Sequence, residues 1–196
     1  MRFTQTILAL AIGTVFAGGA IAQTTGTEVG RNVEQQKRIE QGLKSGELNT
    51  REASKLEREE AKVNRDQARA LKDGTLTPAE KAKIRAEQNN LSADIYKQKH
   101  DAQKGNPDSA SSKRMQADVQ RNVNQQKRIE QGVKSGELTK GETAKLERGQ
   151  AAVEHKEAKA GKDGHVGARE QARIQRAEDR QSKRVYKEKH DEETKK

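Results

Sequence analysis

The apolar residues of this chain are sparse, and they recur at steps that suit an α-helix. Steps of seven or four residues separate Leu56, Val63 and Ala70, and likewise Ile84, Leu91 and Ile95. Such spacing places side chains on one face of a helix, and no alternating run of β-branched residues indicates a strand. The pattern predicts helices near residues 31–43, 50–71, 78–100, 121–133, 140–160 and 168–190.

The pattern repeats with an offset of 90 residues. Residues 31–101 align with residues 121–191 without a gap, and 37 of the 71 aligned positions are identical, which indicates an internal duplication. A repeat of this length defines the structural unit. We therefore expect an all-α fold of two tandem homologous modules, each with about three helices arranged as hairpins or a thin bundle. The expected organisation is a signal peptide at 1–22, repeat 1 at 31–101, a linker at 102–120, repeat 2 at 121–191 and a tail at 192–196.

Glycines and capping residues mark the ends of the predicted helices. After Gly74, Thr77 is placed to cap a helix that has Pro78 at its first position, and Glu80 completes a capping box. Asn49 with Glu52, and Thr139 with Glu142, offer the same signal in the two repeats. The linker is predicted from its Gly-Asn-Pro-Asp segment and its serines. Its later part, from Lys113, could already extend the next helix.

The N-terminus has the features of an export signal. Arg2 precedes a short apolar run over residues 7–16, and Ala20-Ile21-Ala22 is a small-x-small cleavage pattern. We expect cleavage before Gln23 and a periplasmic or secreted protein, with no transmembrane segment afterwards. The chain contains no cysteine, which excludes disulfides and thiolate metal sites.

Composition predicts a marginal core. Both phenylalanines lie in the predicted signal, and charged residues make up 36% of the chain, so helical hydrogen bonds and local ion pairs must contribute much of the stability. We expect no buried acid–base pair, and the sequence has no phosphate-binding glycine loop and no nucleophile elbow. These features predict a protein that is not an enzyme and needs no cofactor.

The turns resemble the second half of an EF-hand calcium loop, in which a glycine bends the chain and a glutamate closes the site six residues later. Asp73 with Glu80, and Asp163 with Glu170, occupy the matching positions, so they are the candidate calcium ligands. The opening position of these two loops is basic, at Arg69 and Lys159, which departs from the EF-hand pattern. A capping box explains the glutamates without a metal.

A row of cations in the last predicted helix is the other candidate site. Repeat 2 has a formal charge of +6 and repeat 1 of +3, within a chain of +10. Spacings of three and four residues would align five basic residues on one helix face: Arg173, Arg176, Arg180, Arg184 and Lys187. Such a ridge could bind the phosphates of nucleic acid, anionic lipid headgroups or an acidic envelope polymer. An ordinary solvated surface is the alternative.

Two sequence elements occur once in each repeat and carry a resemblance. They are residues 35–48 (QQKRIEQGLKSGEL) and residues 73–80 (DGTLTPAE), together with their counterparts in repeat 2. Repeat 2 departs from the second element, where Gly167-Ala168 replaces Thr77-Pro78 and removes the capping side chain. The chain is similar to uncharacterised exported helical-repeat proteins of proteobacteria, a resemblance that implies export and helical form but no activity. We expect a binding or envelope-related protein with polyanion affinity. The alternative is an EF-hand-like module that binds calcium or another metal, and the oligomeric state stays open.

Overall fold

A computed structural model describes the backbone of residues 17–191 and the side chains of residues 25–191, so residues 1–16 of the predicted signal and the predicted tail at 192–196 lie outside it. The described chain is all-α, as predicted, and a short 3₁₀ turn spans Gly161–Asp163. Within the described residues, no helix has the length and apolar character needed to cross a membrane. The helices are α1 (Ala17–Ser45), α2 (Thr50–Ala70), α3 (Pro78–Lys99), α4 (Ala110–Ser135), α5 (Lys140–Ala160) and α6 (Ala168–His190).

Local capping sets where most of these helices begin. Asn49, Thr77 and Thr139 each cap a helix and form the predicted capping box with the glutamate three residues later. Helix α4 begins at Ala110, inside the segment 102–120 that was predicted as a linker. Ser109 starts this helix early by accepting a hydrogen bond from the Ser112 backbone N–H at 3.1 Å.

The helices of the two repeats pair with each other. The most extensive contacts join α2 to α5 and α1 to α4, so each of these helices packs against its own duplicate. Both pairs are antiparallel. Lys140 at the start of α5 donates to the carbonyl of Gly74, just after α2, at 2.5 Å, and Gly164 beyond α5 lies against Arg51 at the start of α2. Helix α3 covers α1 and α2, and α6 covers α4 and α5.

The apolar core is drawn from both repeats. One cluster joins Leu56 and Ile95 of repeat 1 to Met115 and Ile174, and a second cluster joins Val29 to five residues of repeat 2. Full burial of such a side chain stabilises the fold by about 1.5–3 kcal/mol. The backbone of Gly161 packs closely against Met115, since a Cβ added at Gly161 would lie 2.6 Å from the Met115 side chain. The core therefore ties the repeats to each other.

Candidate functional site

Helix α2 separates its charges between two faces. All six of its exposed positions are basic, and they follow one another at steps of three and four residues: Arg51, Lys55, Arg58, Lys62, Arg65 and Arg69. Its acidic residues are withdrawn from the solvent, since Glu52, Glu57, Glu60 and Asp66 are buried and Glu59 is half-buried. Of these, Asp66 binds Arg69 of the same helix at 2.9 Å. Charges that alternate along the sequence are therefore segregated in space, with the cations facing the solvent.

Helix α5 has the same arrangement. Its four glutamates are buried, and its exposed side chains carry no negative charge. Because α2 and α5 lie side by side, their cations form one surface. A depression of about 460 Å³ lies between the two helices. It is lined by three arginines, two alanines and a histidine: Arg65, Arg69, Arg148, Ala151, Ala152 and His155.

A groove of about 390 Å³ on the other side of α5, facing α6, contains part of the predicted basic ridge. All five ridge residues are exposed, as the helical spacing predicts. Three of them line this groove, whereas Arg184 and Lys187 do not. The groove thus combines five cations from two helices: Lys156, Lys159, Arg173, Arg176 and Arg180. Within residues 25–191, none of the five forms an ion pair with a carboxylate within 4.0 Å; Glu170 is the acidic residue in the lining.

The equivalent position in repeat 1 is neutralised. Asp66, which corresponds to Lys156, binds Arg69 at 2.9 Å and Lys83 at 3.1 Å. Those two cations correspond to Lys159 and Arg173 of the groove. The other two arginines of the groove, Arg176 and Arg180, correspond to the uncharged Ala86 and Asn90. An ammonium in place of the carboxylate, together with these two arginines, therefore gives repeat 2 a cluster of like charges where repeat 1 has an ion-pair cluster.

Beneath the basic surface lies a layer of buried acids between α2 and α5, which we call the central carboxylate layer: Glu57, Glu60, Glu147, Glu154 and Glu157. Amide side chains supply its donors. Gln36 donates to Glu57 at 3.0 Å, and Asn64 donates to both oxygens of Glu154 at 2.7 and 2.9 Å. Burial raises the pKa of Glu57 to about 7 and that of Glu147 to about 8. It also raises the pKa values of the other three well above the usual range. Sequence reasoning did not predict these buried glutamates, and no lysine, arginine or histidine is buried beside them in the described chain.

The four candidate calcium ligands act as acceptors within their own turns. Asp73 accepts from the Thr75 backbone N–H at 2.9 Å, and this hydrogen bond lowers the pKa of Asp73. Glu80 accepts from the Thr77 backbone N–H at 3.0 Å. Asp163 and Glu170 have the equivalent roles in repeat 2, with the backbone N–H groups of His165 and Gly167 as donors at 2.9 Å. Calcium binding at these residues stays a prediction.

A different acidic group has the convergence that a metal site needs. Glu142, Glu188 and Asp191 each have a carboxylate oxygen within 4.8 Å of the other two. In the part of the chain that the structure describes, no other set of three metal-ligating side chains is this close together. The central carboxylate layer therefore does not converge in this way. Two of the three have other roles, because Glu142 closes the cap at Thr139 and Glu188 pairs with Lys145 at 3.4 Å. The group supports no metal assignment.

Sequence reasoning missed the basic face of α2, although its signal was present. The cations from Arg51 to Arg69 have the same helical spacing as the predicted ridge, but intervening glutamates made the segment look like a surface of mixed sign. Only packing shows that those glutamates are buried. No known protein family, characterised protein or solved structure matches this chain.

Proposed function

We propose that this is an exported, non-enzymatic protein that binds phosphate-bearing polyanions through the groove between α5 and α6 and the adjoining basic face of α2 and α5. One observation carries the proposal: the groove's five cations have no carboxylate ion pair among the described residues, whereas in repeat 1 Asp66 binds the two cations that occupy equivalent positions. Unneutralised cations held close together repel one another, so an anion between them lowers the electrostatic energy.

The side chains suit phosphate. Three of the five cations are arginines, whose planar guanidinium groups can donate two hydrogen bonds to one phosphate. The exposed large apolar residues in the described chain are Tyr96 and Tyr186, and neither lines the groove. Stacking on bases therefore has no platform here, and recognition depends on the charged backbone of the partner.

The test compares two triple variants of the full chain that remove equal charge from the same helix. One changes the groove arginines Arg173, Arg176 and Arg180 to glutamine. The control changes three exposed cations outside the groove, Lys183, Arg184 and Lys187, to glutamine. Glutamine retains helix propensity, so neither triple change should unfold α6. Binding to duplex DNA is followed by fluorescence anisotropy over a range of salt concentrations.

The groove variant should flatten the slope of log K against log salt by about 2.7, because each duplex phosphate contact contributes about 0.9. The control should change the slope much less. Equal losses in the two variants would show that net charge alone determines binding and would refute the groove. Anionic and neutral lipid vesicles form a second arm, which distinguishes headgroup phosphates from a nucleic-acid backbone.

A further inference from the structure

The central carboxylate layer contains more hydrogen-bond acceptors than donors. Of its ten carboxylate oxygens, five accept a hydrogen bond from an amide side chain. The other five are buried and accept none, and both oxygens of Glu60 are among them. A buried acceptor without a donor costs free energy. Protonation would give each of the five carboxyl groups one O–H donor. The number of donors gained would then equal the number of oxygens that accept no hydrogen bond.

Within residues 25–191, no cation of the surrounding helices forms an ion pair with the five carboxylates of the layer. Glu28 of α1 pairs with Arg85 of α3 at 3.0 Å, and Glu178 of α6 pairs with Arg121 of α4 at the same distance. Asp118 of α4 accepts from the amide of Gln171 on α6 at 2.6 Å. All three acids are buried, Asp118 and Glu178 are close enough to Glu157 to repel its charge, and no lysine, arginine or histidine is buried in the described chain. The ionised form of the layer would thus be a set of like charges without cations between them.

We propose that the central carboxylate layer is a proton-dependent latch, which holds the α2–α5 contact closed when its carboxyl groups are protonated and loosens that contact as they ionise. Glu57 and Glu60 belong to repeat 1, and Glu147, Glu154 and Glu157 belong to repeat 2, so ionisation creates repulsion across the main contact between the repeats. A charge that is buried without a partner is among the most costly features a fold can contain.

The direction of the pH effect follows from proton uptake. Burial raises the pKa values of Glu57 and Glu147 to about 7 and about 8, above the usual 4.5, so the folded chain binds protons that the unfolded chain releases. The stabilisation is complete below about pH 4.5 and is lost as the pH rises towards 8. Each such group changes the folding equilibrium by up to about tenfold per pH unit in this window.

Urea unfolding of the full chain at pH 5.5 and pH 8.5 tests the latch. The wild type should unfold at a lower urea concentration at pH 8.5. Glu60→Gln should reduce this difference, because the amide cannot ionise. Glu34→Gln, at an exposed acid of α1, should leave it unchanged. A wild-type midpoint that rises with pH, or a Glu60→Gln variant with the wild-type pH dependence, would overturn the proposal.

A second measurement detects the loosening itself and does not need the Glu60→Gln variant to fold. The chain has no cysteine, so Arg65→Cys and Arg148→Cys would place one spin label on each side of the α2–α5 depression. The distance distribution between the labels should be narrow at pH 5.5 and broad at pH 8.5. Identical distributions at both pH values would refute the latch even if stability depended on pH.

Discussion

The substitution Lys156→Asp places in repeat 2 the aspartate that repeat 1 has at the equivalent position, Asp66, and repeat 1 shows what to expect of it. There, one aspartate binds the cation three residues later at 2.9 Å and a cation of the next helix at 3.1 Å. An aspartate at position 156 should bind Lys159 and Arg173 in the same way, so the change removes one groove cation and neutralises two more. Lys156 is exposed, and the effect on folding should be small.

Three lost phosphate contacts set the magnitude. The slope of log K against log salt for duplex DNA should flatten by about 2.7, which corresponds to about 500-fold weaker binding at 0.1 M salt if affinity at 1 M is unchanged. Lys156→Gln removes one contact and should flatten the slope by only about 0.9. The control is Lys127→Asp, with the same charge change at an exposed position of α4 outside the groove. Equal weakening of DNA binding by Lys127→Asp and Lys156→Asp would refute the prediction, because net charge alone would then explain the loss.

Two further predictions concern the turns and the close contacts of the fold. Thr77→Ala removes the acceptor for the Glu80 backbone N–H and should cost about 0.5–2 kcal/mol in thermal unfolding, with or without calcium. A gain of helicity on adding calcium, abolished by Glu80→Gln, would instead support the calcium prediction. Gly161→Ala should destabilise the protein by about 1–3 kcal/mol in urea, because the added Cβ would lie within 3 Å of Met115 and Ser54. Gly141→Ala, where no atom lies within 4 Å of the added Cβ, should not destabilise it.

The helices were predictable because their determinants are local. The spacing of residues such as Leu56 and Val63 and the capping boxes at Thr77 and Thr139 act within a few residues of one another. The early start of α4 was missed because the Gly-Asn-Pro-Asp segment and the serines after it indicate a loop. In the structure, Ser109 ends that loop as a helix cap.

The pairing of helices and the buried acids were not predictable in this way. Nothing in the spacing of α2 distinguishes packing against a helix of its own repeat from packing against α5. Glutamate normally faces the solvent, so Glu57 and Glu60 indicated a charged surface. Their burial depends on amide donors far away in sequence, such as Gln36 and Asn122 for Glu57. The basic face of α2 could not be predicted for the same reason, because it is evident only once the glutamates between its cations are known to be buried.

The antiparallel pairing of each central helix with its own duplicate resembles the interface of a twofold homodimer, but here both partners belong to one chain. Dilution does not dissociate such a pair, because the tether keeps the effective concentration of one half around the other high. In a true homodimer, every substitution appears on both sides of the symmetry axis. The joined chain is free of that constraint, and so its equivalent positions differ: Asp66 forms ion pairs on one side, whereas Lys156 is an exposed cation on the other.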